Sequence, residues 1–296
     1  MDEKKMLFIY NPHAGKANIR SNLLDIVDIF TKAGYEVTAQ PTQKKGDAIQ
    51  ATTDKAGRFD LLVCSGGDGT IDEVVTGMMQ RENRIPIGYV PAGTTNDFAR
   101  SLKIPRTMLH AARAIVEGKP FACDIGTFNG DAFVYIAAFG LFTDVSYLTD
   151  QNMKNVLGHM AYLLEGAKRL NHYPSYHMKF EANGTVIEDD FMYGMITNSF
   201  SVGGFKNITG RNVKLNDGVF EVTLIKKPKN VSQLNQLMAA LVRRDVDADC
   251  MYCFKTSQIT FESEDEVPWT LDGEYGGHQR KVHVQNEMQA VEIIVP

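Results

Sequence analysis

Apolar positions along the first 125 residues or so alternate between short continuous runs and runs spaced at the helical period. The segment 5–11, KMLFIYN, reads as a strand. The segment 18–34 places Ile19, Leu23, Leu24, Ile26, Val27 and Phe30 at helical spacing, with Gly34 as a C-terminal stop. YEVTAQPT (35–42), FDLLVCS (59–65) and IPIGYVP (85–91) continue the strands. KGDAIQATTDKA (45–56), TIDEVVTGMMQ (70–80) and TMLHAARAIVEG (107–118) continue the helices. Continuous apolar runs such as Leu61–Cys64 suit strands covered on both faces. The alternation predicts a parallel sheet with helices on both sides, and ligands of such sheets sit at the carboxyl ends of the strands.

After Asp124 the pattern becomes strand after strand, divided by Asn, Gly and Asp turns. Strands are predicted over 132–140, 175–183, 185–199, 218–227 and 254–263, with a last one closing the chain. Two amphipathic helices, 155–170 and 231–244, interrupt them. Their apolar faces suit packing on the sheet, a wall of an apolar cavity or a membrane-facing surface. The expected architecture is α/β plus β: a Rossmann-like three-layer α/β/α nucleotide-binding domain over 1–125, then a β-sandwich over 126–296. The last few residues have the option of returning to the first domain.

Composition narrows the class. Of 296 residues, 44% are hydrophobic and 23% charged, a globular profile. A net charge of −5 argues against a broad grip on nucleic acid. No secretory leader or spanning helix is read, so the expectation is a cytoplasmic protein with peripheral membrane contact at most. A homodimer is the default expectation for assembly. Cys250 and Cys253 have a C-x-x-C spacing, but no second pair completes a zinc set; packing is the plainer reading.

Three strand exits share one composition: NPHAGK (11–16), GGDGTIDE (66–73) and PAGTTNDFAR (91–100). The topology brings them to one sheet edge. Glycine there lets phosphate approach the backbone, and a following helix N-terminus supplies N–H donors and a favourable dipole. A helix is expected from Ile71. Thr70, Thr94, Thr95 and Asn96 add neutral donors. Asp68 and Asp97 would repel phosphate directly, which points to Mg²⁺ between the two. Walker and protein-kinase motifs are absent.

In the second half, WTLDGEYGG holds Asp272 and Glu274. If the segment is extended, both carboxylates share one face. They would then supply the base and metal-bearing acid that phosphoryl transfer needs. The same letters also read as a D-G hairpin turn. KLNDGVFEV offers a further turn, in which Asp217 could meet a cation together with the carbonyls of Lys214 and Val219.

Together, NPHAGK, GGDGTIDEVV, PAGTTNDFAR and LDGE resemble the diacylglycerol kinase catalytic family in its bacterial soluble lipid-kinase branch. The resemblance runs from Asn11 to Glu274. It implies two domains with the active site in the cleft between them. It implies ATP bound by Asn11, Pro12, His13, Ala14, Gly15, Thr42, Gly66, Gly67, Asp68, Gly69, Thr70, Ile71, Asp72, Glu73, Thr94 and Asn96. It implies Glu274 as proton acceptor, with Asp68, Asp97 and Asp272 organising Mg²⁺. A second, structural Mg²⁺ is implied on Lys214, Asp217 and Val219. Two segments depart from the family pattern: AAFGLFTDVS and NSFSVGGF carry fewer glycines than expected. The expected activity is ATP-dependent phosphorylation of a lipid hydroxyl at a membrane surface, foremost diacylglycerol to phosphatidic acid. Phosphatidylglycerol, a sphingoid base or a polyprenol is the alternative substrate. An NAD kinase-like enzyme or a non-catalytic nucleotide-binding protein is the remoter alternative. Lys226, Lys227, Lys229, Arg243 and Arg244, around one amphipathic helix, suit either contact with anionic lipid or a solvated helix end.

Overall fold

The computed structural model describes residues 4–15, 19–140, 175–202, 205–206, 213–243 and 249–296. The helix expected over 155–170, Lys16, Arg244, residues 141–146 of AAFGLFTDVS and residues 203–204 of NSFSVGGF lie outside the described residues. The chain divides into two compact units, residues 1–125 with 288–296, and residues 126–287.

In the first unit the elements are β1 (Lys4–Tyr10), α1 (Ile19–Lys32), β2 (Tyr35–Pro41), α2 (Asp47–Lys55), β3 (Leu61–Gly66), α3 (Asp68–Met79), β4 (Ile87–Pro91), α4 (Asp97–Ser101), α5 (Met108–Glu117) and the start of β5 (Lys119–Phe128). Strands β4, β3, β1 and β2 lie in that order, and every neighbouring pair is parallel. Met6, Leu7, Phe8 and Ile9 of β1 are all fully buried, as are Leu62, Val63 and Cys64 of β3. That is the burial expected of strands covered on both faces. Helix α1 packs on α5, and α2 packs on α3. The registers Tyr10↔Pro41, Tyr10↔Ser65 and Gly66↔Pro91 bring the carboxyl ends of all four strands to one edge.

The second unit contains the end of β5, β6 (Asp131–Phe133), β7 (Ile136–Gly140), β8 (Tyr176–Ala182), β9 (Thr185–Thr197), the short pair β10 (Ser201–Val202) and β11 (Phe205–Lys206), β12 (Phe220–Lys226), α6 (Val231–Arg243), β13 (Met251–Thr256), β14 (Gln258–Leu271) and most of β15 (Glu274–Val295). Its pairings are antiparallel: β12 lies between β9 and β13, and β14 pairs with β7, β8 and β15. Aromatic rings fill its core. Trp269 is fully buried, with ring centroids 4.7 Å from Phe139, 5.1 Å from Phe128 and 5.3 Å from Phe261. Side chains of this size each stabilise the fold by roughly 1.5–3 kcal/mol when buried.

One boundary differs from the sequence pattern. The strand expected over 254–263 is two strands. The Thr256 hydroxyl donates to the Gln258 carbonyl (2.6 Å) and accepts from the Gln258 N–H (3.3 Å), which turns the chain at Ser257. The end of β15 lies in the first unit, where Ile293 pairs in parallel with Ile87. Buried Asp124 accepts the Gln289 N–H at 2.7 Å, and Arg84 Nη1 donates to the Ala290 carbonyl at 2.7 Å.

Candidate active site

In the first unit the three glycine-bearing loops meet. The Asn11 N–H donates to the Ser65 carbonyl at 2.9 Å, and the Ala92 N–H donates to the Gly66 carbonyl at 2.7 Å. Gly15 has φ +40°, and a Cβ there would fall 1.8 Å from the Ala92 carbonyl oxygen. A Cβ on Gly93 would fall 2.6 Å from Gly67 Cα. Loop one therefore touches loop three, and loop two touches loop three, through backbone that no other residue permits. Within loop one, Asn11 Oδ1 accepts the His13 N–H at 2.9 Å, and the Ala14 N–H reaches the Asn11 carbonyl at 3.3 Å. Pro12 lies between these anchors.

Asn96 holds loop three. Its backbone is left-handed (φ 50°). Its side chain accepts the Gly93 N–H at 3.0 Å and donates to the Gly93 carbonyl at 2.8 Å. Beneath it lies the buried Tyr89 hydroxyl, 3.2 Å from the Gly66 carbonyl and 3.4 Å from Asn96 Oδ1. Burial, with the Asp68 charge beside it, holds the Tyr89 phenol in its protonated form.

The helix after loop two begins at Asp68 rather than Ile71. Gly67 is its N-cap in extended backbone, and its carbonyl accepts the N–H groups of Thr70 and Ile71. Asp68 and Gly69 thus sit in the first turn, where the helix dipole is positive. Asp68 Oδ1 accepts the Phe98 N–H at 3.4 Å, which ties loop two to α4. Asp97 begins α4 and is buried. Asp68 and Asp97 are hard oxygen donors brought to the same loop junction, a donor set that suits Mg²⁺.

The remaining predicted nucleotide residues have different surroundings. Glu73 caps α2: its two carboxylate oxygens accept the Gly46 N–H (2.8 Å) and the Ala48 N–H (3.1 Å). Thr42 follows β2 and donates its N–H to the Tyr10 carbonyl at 2.9 Å. Asp72 lies one turn along α3, and Thr94 follows Gly93 in the third loop.

In the second unit, Asp272 and Gly273 are a two-residue hairpin turn, so the extended reading of 272–274 does not hold. Both have positive φ, 51° and 84°, and Leu271 pairs with Glu274 across the turn. Positive φ at both central positions is the requirement of a type I′ turn, which D-G satisfies. The Asp272 carboxylate is buried and accepts three main-chain N–H groups, from Val134 (2.5 Å), Tyr135 (2.9 Å) and Ile136 (2.9 Å). The Tyr135 hydroxyl donates to the Asp272 carbonyl at 3.2 Å. Exposed Glu274 is the first residue of β15 beyond this pinned turn.

Lys214, Asp217 and Val219 lie in the turn segment leading into β12. Lys255 Nζ is 3.3 Å from Asp217 Oδ2 and 2.9 Å from Glu221 Oε1. Burial pushes Glu221 up to about 7 despite that ammonium. Asp217 Oδ1 is buried without a hydrogen-bond partner, so one acceptor remains for a cation. Among the described residues, no group of three or more His, Cys, Asp or Glu side chains is arranged to hold a metal ion by itself.

Tyr89 and the main chain of Val134–Ile136 were not singled out by the sequence. A tyrosine in an apolar strand has no distinguishing pattern, and a backbone donor has none at all.

Residues 5–128 match the model of the diacylglycerol kinase catalytic domain, and residues 136–295 match that of the YegS C-terminal NAD kinase beta sandwich-like domain. A diacylglycerol kinase of Bacillus subtilis (strain 168) is 35% identical over 276 residues, covering 93% of this chain and 91% of the relative. This chain belongs to the diacylglycerol kinase family. It is a lipid kinase of the diacylglycerol kinase type, a transferase. A diacylglycerol kinase of Staphylococcus carnosus (strain TM300) is 32% identical over 295 residues, covering 99% and 95% of the two chains. A diacylglycerol kinase structure from Bacillus anthracis str. Sterne has a TM-score of 0.79 at 24% identity, a likeness of fold. Among the described residues no helix is long and apolar enough to cross a membrane.

Proposed function

We propose that this kinase transfers the γ-phosphoryl group of ATP to the free hydroxyl of diacylglycerol, giving phosphatidic acid. The observation that carries the reading is the triple-loop junction: close-packed glycines and the N-terminus of α3 let phosphate approach main-chain N–H groups. Glu274 is the proposed proton acceptor. The substrate oxygen forms a bond to the γ-phosphorus, the bond to ADP breaks, and the hydroxyl proton passes to the Glu274 carboxylate. Asp272 acts through the turn: its three N–H partners fix the hairpin that presents Glu274. It is a positioning residue.

Mg²⁺ fits the acids present. Asp68 and Asp97 would hold the ion that accompanies the nucleotide. Asp217, with the carbonyls of Lys214 and Val219, would hold a structural one. When bound, the nucleotide's ion supplies neutralisation of phosphate charge. That the relatives are diacylglycerol kinases supports a lipid as acceptor. Such a substrate resides in a bilayer, so the enzyme, expected in the cytoplasm and as a homodimer, would meet it by transient surface contact.

Radiolabelled transfer from ATP to diacylglycerol, phosphatidylglycerol, a sphingoid base, a polyprenol and NAD tests the reading. Diacylglycerol is expected to be labelled fastest; labelling of NAD and of no lipid would overturn the proposal. Glu274→Gln is expected to lower turnover about a hundredfold to ten-thousandfold with ATP affinity nearly unchanged. Near-normal turnover of this variant would remove Glu274 from the role.

A further inference from the structure

The second unit holds a cavity of about 110 Å³ that the kinase reading does not use. It lies where β12 ends and α6 begins. Lys226, Lys227 and Lys229 line it, with Gln233 from the first turn of α6 and Asp189 and Asp249 at its walls. We infer that this cavity binds a phosphate group.

The lysines are placed there by the backbone. The β12–β9 register shifts between Ile225 and Lys226, so Lys226 pairs with Phe191. The Lys226 N–H donates to the Cys250 carbonyl at 2.9 Å, and the Lys227 N–H donates to the Asp190 carbonyl at 2.8 Å. The Lys226 ammonium lies 4.9 Å from the centre of the Tyr252 ring. The Lys229 N–H donates to Gln233 Oε1 at 2.7 Å, and Asn230 Oδ1 caps the helix by accepting the Gln233 N–H at 2.9 Å. Among the described residues, no carboxylate lies within ion-pair distance of these three ammonium groups.

The chemistry favours an anion with several acceptor oxygens. Three lysines and two aspartates line the cavity, an excess of one positive charge, and the positive end of α6 adds to it. Asp189 Oδ1 already accepts the Asp190 N–H at 2.9 Å, which directs part of its charge away from the lysines. Apart from Cys250 and the lysine stems the lining is polar, so an acyl chain does not suit it. A phosphate group does, whether on a phospholipid headgroup at a bilayer or on a small soluble molecule.

The test compares the full chain with the triple variant Lys226→Gln, Lys227→Gln, Lys229→Gln, without nucleotide, so its result is independent of the kinase reading. Sedimentation with phosphatidylcholine vesicles is measured with and without phosphatidylglycerol, and inorganic phosphate binding is measured by calorimetry. A matched control removes Lys32, Lys103 and Lys119, exposed lysines of the first unit. The triple variant is expected to lose anionic-vesicle binding on the order of a hundredfold, at about fivefold per lysine. The control should lose far less, and the Lys→Arg triple should retain binding. Loss confined to vesicles identifies a headgroup as the source; loss confined to inorganic phosphate identifies a soluble one. Either supports the site. Wild-type protein that binds neither, a variant that binds both normally, or a control that loses as much would overturn it.

Discussion

The loop junction of the first unit and the acidic hairpin of the second solve one problem by opposite means. Each must hold an irregular stretch of chain still. The junction does it with absent side chains. Gly15 against Ala92 and Gly93 against Gly67 bring main chain to main chain at distances where a Cβ would collide. The hairpin does it with one side chain present. Asp272 spans 138 residues of sequence to gather three N–H groups from Val134, Tyr135 and Ile136. A site made of contacts fails by steric intrusion, whereas a site made of one buried charge fails when the charge is removed.

The largest stability effect is expected at the hairpin. Asp272→Ala leaves three buried donors without their acceptor. Each such group costs about 1–3 kcal/mol, and the three are not additive, so a loss of about 3–5 kcal/mol is expected. Denaturant melts of the full chain measure it. A loss below 1 kcal/mol would mean that water or a neighbour satisfies those N–H groups, and that Asp272 does not position Glu274.

Two glycine substitutions separate strain from collision. Gly15 and Gly273 both have positive φ, but only Gly15 has a neighbour where a Cβ would sit; Gly273 has nothing within 4 Å. Gly273→Ala incurs left-handed strain alone, about 1–2 kcal/mol. Gly15→Ala adds a backbone clash that must push loop one from loop three. It is expected to cost more than Gly273→Ala and to weaken ATP binding as well. Nucleotide titrations and melts of both variants decide the matter. Equal losses, with ATP binding intact at Gly15→Ala, would show that contact between the loops is dispensable.

The same contrast explains what the sequence could disclose. The alternation of apolar runs and helical periods yields the parallel sheet, because burial on both faces leaves continuous runs such as Leu61–Cys64. Glycine at strand exits identifies the three loops, since that residue type is costly without a backbone reason. Long-range partners are not legible. Glu73 sits in the GGDGTIDE motif, yet its carboxylate caps a helix that begins at Asp47. D-G reads equally as a turn or as extended chain until the pairing of Leu271 with Glu274 closes the hairpin. The break at Ser257 is equally hidden, because the flanking residues on both sides favour strands and only the Thr256 hydroxyl marks the turn.

The smallest effect is expected on the exposed face of the β8–β9 hairpin, away from both sites' packing. His177 donates from Nδ1 to Asp190 (2.9 Å) and from Nε2 to Glu188 (3.0 Å), which requires the doubly protonated ring. The carboxylates of Glu188 and then Asp190 raise its pKa above the ordinary 6.5. From β14, the Ser263 hydroxyl donates to the His177 carbonyl, and Lys179 and Glu262 flank the same ladder. A raised folded-state value means that the stabilisation is fully present below 6.5 and disappears as pH rises through the raised value. His177→Gln should therefore lower Tm slightly in acid and leave it unchanged in alkali, in contrast to the pH-insensitive deficit expected of Gly15→Ala. A Tm difference that is the same at both ends would show that solvent screens the pair completely.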